Sequence, residues 1–405
     1  MKVLLALNAL GIGGTESYVF TVAEQLDRLA HEAVIFSPEP GQGLEVAHER
    51  GLPVIGPGEL ADDFDVAFVQ DAAVAYDVAD ACPRARVAFA GHSETFDPQS
   101  PPQLPGVVAV SVAFNDRVEQ RLRSFATKHE VVRLRQPIDT ERFVSGPPLP
   151  EVPQRALLLS NNIVADREAM LEEACREAGL QLVRVGGSGR QIRDPREALM
   201  GADVVIGYGR AILEAMACGR AAFVYDWAGG QGWMTAESYP AIEAGGFGGR
   251  NEPVFDVRGL AAAFADYDRS MGPVNHDLVM AHHRANVHVQ QLVEIFERLA
   301  GATEPPEAPL ADMARLVRLE WRARAEVHGL RAENAGLHER LHEIGSELTA
   351  AREERGSMQA ELTGERAARE EETRELVHRY ESTFIWRATA PLRRAWARLR
   401  SRPAR

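Results

Sequence analysis

The sequence predicts an α/β protein in which two doubly wound domains are followed by a long α-helical segment. Short apolar segments of strand type alternate with helical segments in residues 1–145, and the same alternation returns in residues 151–300. Such alternation is typical of parallel sheets covered by helices on both faces. Beyond residue 312, apolar residues recur at spacings of three and four, as in a coiled coil.

The first domain, residues 1–145, is predicted from a series of apolar segments. Strands are expected at residues 3–7, 33–36, 66–69, 87–89, 107–110 and 131–134, with one helix ending near residue 29 and another at residues 115–126. Ligands of doubly wound domains lie beyond the carboxyl ends of the strands. Two loops fall there: the glycine loop (residues 11–14), which contains Gly13 and Gly14, and the loop with His92. Both are candidate ligand contacts.

The second domain, residues 151–300, repeats this pattern. Strands are expected at residues 156–159, 182–185, 202–206 and 221–225, and helices at residues 166–178, 260–269 and 275–299. A glycine-rich loop is expected at residues 226–230. The helix between the last two strands completes a β-α-β unit of a parallel sheet.

This β-α-β unit carries the most informative motif of the chain. Gly207 and Gly209 precede the helix, so an anion can approach its positive end at Arg210 and Ala211 without meeting a Cβ atom. Glu214 lies about one turn further in, where a carboxylate can accept both hydroxyls of a ribose. The alternative is a glycine turn that serves packing alone.

Other polar residues of the chain are interpreted as structural. His276, His282, His283 and His288 are expected on the solvated face of the helix at residues 275–299, because no HExxH pattern accompanies them. Asp266 and Asp268 are expected within the helix at residues 260–269, so their DxD spacing is discounted. Cys82, Cys175 and Cys218 lack CxxC spacing and are expected to be buried free thiols. No metal ion or other cofactor is predicted.

Three ordered motifs resemble retaining glycosyltransferases of the GT-B fold, and glycosyltransferase family 4 in particular. The family's E-x7-E signature is matched by Gly207, Tyr208, Gly209, Leu213, Glu214, Ala215, Met216, Ala217 and Gly219. Residues 11–16 are similar to its Gly-Gly-Ala-Glu loop, and residues 137–143 to the segment that closes its first domain. The resemblance implies two Rossmann-like domains facing a cleft, a nucleotide-diphosphate sugar donor, retention at the anomeric carbon and no metal requirement.

Two departures from the family pattern concern the chemistry. Ile206 stands where the family has the first glutamate of its signature, which hydrogen-bonds the transferred sugar. Residues 160–162 read Ser-Asn-Asn where the family places an Arg and a Lys that clamp the diphosphate. Arg210 and Arg190 are the predicted replacements, since a guanidinium binds phosphate oxygens in pairs; both could also be surface residues. His92 is a candidate contact of the donor sugar or acceptor, with a hydrogen-bonded structural role as the alternative.

A coiled coil is predicted at residues 313–384, after a linker at residues 301–312. The heptad positions are occupied by Val327, Leu330, Asn334, Leu337, Leu341, Ile344, Leu348, Ala351, Met358 and Leu362. Asn334 at a core position is typical of parallel dimers, so a homodimer is expected. Because Gly329, Gly336, Gly345, Gly356 and Gly364 weaken the helix, a single solvated helix that folds against the enzyme is the alternative.

The last segment, residues 385–405, is predicted to be a basic amphipathic tail. Its seven arginines and lack of acidic residues give it a formal charge of +7 within a chain of −14. Interleaved tryptophans and leucines suit an anionic membrane surface, with RNA as the competing ligand. Residues 386–393 also resemble a Trp-Arg-x-Thr-x-Pro-Leu-Arg tail of bacterial surface-polysaccharide enzymes.

Together these features predict a glycosyltransferase that moves a sugar from a nucleotide diphosphate to a cell-surface glycan or its lipid-linked precursor. The expected location is the cytoplasm, at the inner face of the cell membrane, because neither a signal peptide nor a membrane span is visible in the sequence. The acidic body argues against nucleic-acid binding. Two alternatives are a catalytically degenerate GT-B scaffold with a coiled coil and a GT-B nucleotide-sugar 2-epimerase.

Overall fold

The computed structural model describes residues 1–126, 129–160, 163, 165–186, 194–226, 228–249, 255–299 and 306–400. The chain divides into two compact units, Met1–Arg322 and Ala323–Arg405. Within the described ranges, no helix has both the length and the apolar composition that a membrane span requires.

A parallel seven-stranded sheet forms the centre of the first domain. The strands of this domain are β1 (Lys2–Ala6), β2 (Ala9–Leu10), β3 (Glu32–Phe36), β4 (Glu39–Pro40), β5 (Val54–Ile55), β6 (Val66–Val69), β7 (Arg86–Gly91), β8 (Val110–Ala113) and β9 (Glu130–Arg133). The sheet order is β5-β3-β1-β6-β7-β8-β9, and β2 pairs separately with β4. The helices are α1 (Gly14–Arg28), α2 (Gly43–Glu49), α3 (Ala72–Ala81) and α4 (Asp116–Ser124). Strand β8 begins where the predicted strand at residues 107–110 ends.

The second domain contains a five-stranded sheet in the order β11-β10-β12-β13-β14. The strands are β10 (Arg155–Leu159), β11 (Gln181–Val185), β12 (Val204–Gly207), β13 (Ala221–Asp226) and β14 (Gly229–Trp233). Its helices are α5 (Ala165–Glu177), α6 (Arg196–Gly201), α7 (Arg210–Ala217), α8 (Tyr239–Ala244), α9 (Val257–Ala265), α10 (Met271–His282) and α11 (Ala285–Arg298). Strands β12 and β13 are parallel and α7 connects them, so the predicted β-α-β unit is confirmed.

The glycine-rich loop predicted at residues 226–230 is in part a strand, so this prediction was wrong. Strand β14 pairs antiparallel with β13 at the edge of the sheet. The chain reverses because the Asp226 carboxylate accepts the backbone N–H groups of Ala228, at 2.6 Å, and Gly229, at 3.2 Å. A local side-chain hydrogen bond of this kind closes a turn.

The single helix predicted at residues 275–299 is two helices, α10 and α11. The break lies at His283 and Arg284, where the backbone of Arg284 is extended. Ile138 donates its N–H to the His283 carbonyl at 2.7 Å and accepts the Ala285 N–H at 3.0 Å. This short bridge with the segment that connects the domains satisfies the backbone groups that the helix loses at the break.

The predicted solvated face was wrong for His283 and His288, which are buried at 1% and 3% exposure, whereas His282 is exposed as predicted. Helix α11 packs into the core of the first domain through Val289, Leu292, Ile295 and Phe296. His288 lies 3.0 Å from the Tyr18 hydroxyl, and His283 lies 2.9 Å from the Tyr239 hydroxyl. Burial lowers the pKa of His283 to about 4 and that of His288 to about 3, so both rings are neutral.

The two aspartates with DxD spacing also lie elsewhere than predicted. Helix α9 ends at Ala265, so Asp266 and Asp268 follow it. The Asp268 carboxylate accepts the backbone N–H of Ser270 at 2.7 Å, which is a turn contact. Among the described residues, no group of three or more histidines, cysteines and acidic residues has a geometry that holds a metal ion.

The three cysteines are buried free thiols, as predicted. Cys82 lies in the core of the first domain, Cys175 on the buried side of α5 and Cys218 at the end of α7. Burial raises the pKa of each thiol to about 12, so all three are protonated at neutral pH.

A long helix, α12 (Leu310–Ser382), begins inside the first unit. Leu310 and Ala314 are buried in a core cluster of the first domain, and Met313 and Val317 pack against the same cluster. The second unit consists of the remainder of α12, then α13 (Phe384–Ala388) and α14 (Ala390–Arg400). The predicted fold class, two doubly wound domains followed by a long helix, is therefore confirmed.

Candidate active site

A cavity of about 500 Å³ lies between the two domains, at the carboxyl ends of their strands. Residues of both domains line it: Ile12, Gly13, Gly14, Ser17 and Gln42 from the first, and Leu159, Ser160, Val185, Gly186, Pro195, Tyr208, Gly209, Arg210, Ala211 and Glu214 from the second. The volume is that of a small-molecule site. Predicted donor-site residues from both domains, among them Gly13, Gly14, Gly209 and Glu214, therefore meet in one place despite their separation in the sequence.

The first domain contributes the glycine loop and the start of α1. The N-cap of this helix is Gly13, which has no side chain to bond the free N–H groups of the first turn. Glu16 folds back over the loop and accepts the Gly11 N–H at 3.2 Å. A Cβ atom on Gly13 would lie 2.8 Å from a carboxylate oxygen of Glu16, at the end of a side chain that can move.

The second domain contributes the signature turn (residues 207–209) and the start of α7. Gly207 ends β12, and a Cβ atom there would lie 2.7 Å from the Leu159 carbonyl oxygen. Gly209 has a φ of +58°, a conformation that favours glycine, and its N–H donates to the Phe247 carbonyl at 2.8 Å. Because Gly209 also lacks a capping side chain, a second positive helix end meets the cavity.

Glu214 is almost completely buried beside the cavity, with 8% exposure. Its Oε1 accepts the Nε–H of Arg210, one turn earlier on α7, at 2.9 Å. Burial raises the pKa of this carboxyl, and the charge of Arg210 acts against the rise. A buried carboxylate with one fixed partner retains lone pairs for further donors, such as the hydroxyl groups of a ligand.

Arg210 is more restrained than a free anion-binding arginine. Besides Glu214, its guanidinium donates to the Pro137 carbonyl at 3.1 Å and to the Thr21 hydroxyl at 3.4 Å. These partners lie on the segment that connects the domains and on α1. Arg210 therefore joins the two domains at the cavity and orients Glu214, while the N–H groups without a partner in these contacts can meet a ligand oxygen.

The positions at which the sequence departs from the family pattern lie in different surroundings. Ile206 is fully buried in a core cluster of the second domain, so no acid stands at this point of β12. Ser160 lines the cavity. Asn161, Asn162 and the predicted phosphate contact Arg190 lie outside the described residues.

His92 is not among the described residues that line the cavity. Its Nε2 lies 2.7 Å from the side-chain oxygen of Gln70, and its ring contacts Tyr18 and Phe114 with centroid separations of 5.4 and 5.1 Å. Burial lowers the pKa of His92 to about 4, so the ring is neutral. Tyr18, which His92 contacts, follows Ser17 on α1, and Ser17 lines the cavity.

Sequence reasoning missed a pair of arginines beside the cavity. Arg142 and Arg196 both donate to the Asp194 carboxylate, at 2.9 and 2.5 Å. The next residue, Pro195, lines the cavity. Arg142 belongs to the segment similar to the end of the family's first domain, so its position in the sequence was a usable signal. With the Asp194 carboxylate between them, the two arginines leave one net positive charge beside Pro195.

Comparisons with known proteins address the fold. No protein-family model and no curated protein matches the chain. Among solved structures, it is similar to HepE of Anabaena in complex with UDP, with a TM-score of 0.56 and 13% identity over 74% of this chain and 100% of that one. A glycosyltransferase of Rickettsia africae gives 0.54 and 15% over 74% and 98%. TarM of S. aureus, in complex with UDP and other ligands, gives 0.50 and 8% over 73% and 100%.

These structures are GT-B proteins, and the described chain has the same two facing parallel-sheet domains. The cavity lies where ligands bind in doubly wound folds, beyond the carboxyl ends of the strands. The chain therefore has the GT-B fold, followed by a helical extension.

Proposed function

We propose that this protein is a glycosyltransferase that uses a nucleoside-diphosphate sugar as donor. The observation that carries the proposal is the convergence of two glycine-capped helix ends, from α1 and α7, on one cavity that also contains the Glu214 carboxylate. Helix ends of this kind stabilise phosphate groups, and a carboxylate one turn away can accept ribose hydroxyls.

In the proposed reaction, the bond between the anomeric carbon of the sugar and the β-phosphate oxygen breaks. The acceptor hydroxyl oxygen bonds to that carbon and releases its proton, while the diphosphate leaves with the bond electrons. Dipoles and guanidinium groups that are already oriented stabilise the charge that develops on the leaving group. This electrostatic stabilisation does not require a metal ion, and the resemblance of the signature implies retention at the anomeric carbon.

The uridine nucleotide is the first donor to examine. HepE has been solved with UDP and with UDP-glucose, and TarM with UDP. For the acceptor we propose a cell-surface glycan or its lipid-linked precursor, with His92 as a candidate contact close to the transferred sugar. Arg190 remains the proposed additional phosphate ligand, together with Arg210.

The C-terminal helices support a proposed location at the inner face of the membrane. Trp386 lies between Tyr380, with a ring separation of 4.8 Å, and Arg393, whose guanidinium carbon is 3.3 Å from its ring centroid. Arg393 also donates to the Trp386 carbonyl at 2.7 Å and to the Thr389 hydroxyl at 2.9 Å. Three residues of the Trp-Arg-x-Thr-x-Pro-Leu-Arg sequence, Trp386, Thr389 and Arg393, thus contact one another and join α13 to α14.

This arrangement leaves a set of large apolar side chains in solvent: Phe384, Ile385, Leu392 and Trp396, between 62% and 85% exposed. Arginines flank them, and each arginine near an anionic bilayer contributes about 1 kcal/mol to binding. We therefore propose an anionic membrane as the partner. Full-length protein should sediment with vesicles that contain phosphatidylglycerol, and a variant without residues 385–405 should remain in solution. Equal sedimentation of both would contradict the proposal.

We also propose a homodimer through α12. Residues at the heptad positions are exposed in the single chain, among them Leu330, Leu341, Ile344 and Leu348. A second copy would cover this stripe by knobs-into-holes packing. Sedimentation of full-length protein should show a dimer, the double variant Leu337→Asp and Leu341→Asp should be monomeric, and Ser346→Asp, on the opposite face, should leave the dimer intact. A monomeric wild type would contradict the proposal.

One experiment tests the enzymatic proposal. Calorimetric titration should show binding of UDP, and incubation with UDP-glucose and other UDP-sugars should release UDP slowly even without an acceptor. Glu214→Gln should weaken nucleotide binding, whereas Glu197→Gln, an exposed change in the same domain, should leave it unchanged. Absence of binding for a panel of nucleoside diphosphates would contradict the proposal.

A catalytically degenerate scaffold is the second candidate, because Ile206 buries an apolar side chain where the family signature has an acid. Nucleotide binding does not distinguish such a scaffold from an enzyme. The distinguishing property is that a scaffold would release no sugar from any donor. The 2-epimerase alternative has less support, since Glu214 is the only acidic residue among the described residues that line the cavity.

A further inference from the structure

Arg318, in the third turn of α12, contacts the polypeptide just before the glycine loop. The Arg318 side chain, 19% exposed, forms a two-point contact with the Asp77 carboxylate on α3, with one distance of 3.2 Å. Its Nε donates to the side-chain oxygen of Asn8 at 2.9 Å. A guanidinium bound at both ends in this way has a fixed orientation, which a lysine cannot reproduce.

Asn8 contacts both Arg318 of α12 and Asp71, the residue before α3. It is 3% exposed, and its backbone N–H donates to the Asp71 carboxylate at 2.7 Å. Asp71 in turn caps α3 by accepting the Val74 N–H at 3.1 Å. Asn8 follows β1 and stands three positions before Gly11, with only the two-residue strand β2 between Asn8 and the glycine loop.

The glycine loop has few restraints of its own. Gly13 provides no capping side chain. Among the described contacts, the side-chain hydrogen bond to a residue of the loop is the one from the Gly11 N–H to Glu16. Glycine-rich segments gain the most conformational freedom when a restraint is lost. A contact that fixes the preceding residue therefore reduces the number of loop conformations that a ligand has to select.

Neighbouring contacts keep Arg318 in place. The buried apolar contacts of the helix lie one and two turns earlier, at Ala314 and Leu310. One turn later, the Trp321 ring packs edge-on against Phe96, with a centroid separation of 5.0 Å. The helix is thus anchored on both sides of Arg318, and the guanidinium is held against Asn8 by packing as well as by charge.

We propose that Arg318 is a positioning residue for the nucleotide site: through Asn8 it holds the glycine loop in the conformation that binds the diphosphate. The inference rests on the proposed function and deepens it. It makes the start of the helical extension, residues 310–321, a part of the donor site although none of these residues is among the described residues that line the cavity.

The test compares Arg318→Ala with Arg322→Ala in the full-length protein. Arg322 lies one turn later and forms an exposed pair with Glu39 at 2.7 Å, so its variant controls for the loss of an arginine from the same helix. We expect Arg318→Ala to raise the dissociation constant of UDP about tenfold, a change of about 1.4 kcal/mol. The KM for the donor should rise more than kcat falls, and Arg322→Ala should match wild type.

A second variant separates positioning from stability. Asn8→Ala removes the acceptor of Arg318 but leaves the pair of Arg318 with Asp77. It should raise the UDP dissociation constant as well, and the double variant should be no worse than Arg318→Ala, since the two residues act through one contact. Arg318→Lys should restore little of the affinity. All titrations are made where circular dichroism shows folded protein.

The outcomes distinguish two failures. If wild type binds UDP and both Arg318→Ala and Asn8→Ala bind it equally well, Arg318 serves stability alone and the inference is overturned. If wild type binds no nucleoside diphosphate, the proposed function fails, and the positioning role fails with it.

Discussion

The two glycine turns at the cavity present the same kind of helix end but are held by different means. The signature turn of the second domain is fixed by its own backbone: Gly207 lies against the Leu159 carbonyl, and Gly209 bonds to the Phe247 carbonyl. The contacts at the glycine loop of the first domain come from side chains: Glu16 accepts the Gly11 N–H, and Arg318, far along the sequence, bonds to Asn8 just before the loop. One turn is therefore rigid in itself, and the other depends on tertiary contacts.

The largest expected effect is a loss of stability when the rigid turn is changed. Gly207→Ala places a methyl group 2.7 Å from a backbone carbonyl that cannot rotate away. We expect a loss of about 2 to 3 kcal/mol in the free energy of unfolding, as for an overpacked core. Urea unfolding measures it, with Gly14→Ala as the control, because no atom lies within 4 Å of a Cβ at that position. Equal stability of the two variants would show that β12 can shift and that the turn is not rigid.

Low pH should act on the helix that follows the glycine loop. His288 contacts Tyr18 on α1, and its pKa falls from 6.5 to about 3 through burial. The unfolded chain then binds a proton that the folded protein does not, so stability is lost as the pH falls below 6.5. At pH 5 the expected loss is about 2 kcal/mol from this residue.

Unfolding of wild type and His288→Gln at pH 7 and pH 5 measures this contribution. The variant should lose about 2 kcal/mol less stability than wild type between the two pH values, because His92 and His283, whose pKa values burial lowers to about 4, contribute equally in both proteins. Asp71, whose pKa burial raises to about 6, acts in the opposite direction and is present in both proteins. The same pH dependence in both would disprove the contribution of His288.

The third effect concerns ligand binding beside the signature turn. Glu214→Gln should weaken UDP binding about tenfold, since a hydrogen bond to a charged group contributes about 1.5 to 3 kcal/mol. The change leaves α7 and its signature turn intact, so stability should remain close to that of wild type. Calorimetric titration compares it with Glu197→Gln, and unchanged UDP affinity of the Glu214→Gln variant would remove the ribose role.

The smallest effect concerns the flexible loop. Gly13 has an extended backbone that any residue adopts, and its Cβ would meet the end of the movable Glu16 side chain. Gly13→Ala should therefore cost less than about 1 kcal/mol of stability, well below the loss for Gly207→Ala. Thermal unfolding of the two variants side by side tests this order. A greater loss for Gly13→Ala would reverse the assignment of the rigid and the flexible turn.

The comparison also explains what the sequence could predict. The signature turn, α7 and Glu214 lie close together along the chain, so their spacing is sufficient to indicate the geometry. Gly13 and Gly14 could be placed at a strand end for the same reason. The doubly wound fold follows from local periodicity in the same way, strand by strand.

The remaining features depend on contacts between distant segments. The contact of Arg318 with Asn8 spans 310 positions, and the burial of His288 depends on the return of α11 to the first domain. The break before α11 arises from a bridge to Ile138. None of these contacts leaves a periodic pattern in the sequence, and for that reason the histidines were placed on a solvated face.

The most direct test of the account is a crystal structure of the protein with UDP. We expect the diphosphate at the helix ends that begin at Gly13 and Gly209, and the ribose hydroxyls within hydrogen-bond distance of the Glu214 carboxylate. UDP bound elsewhere, with side chains filling the cavity between the domains, would contradict it.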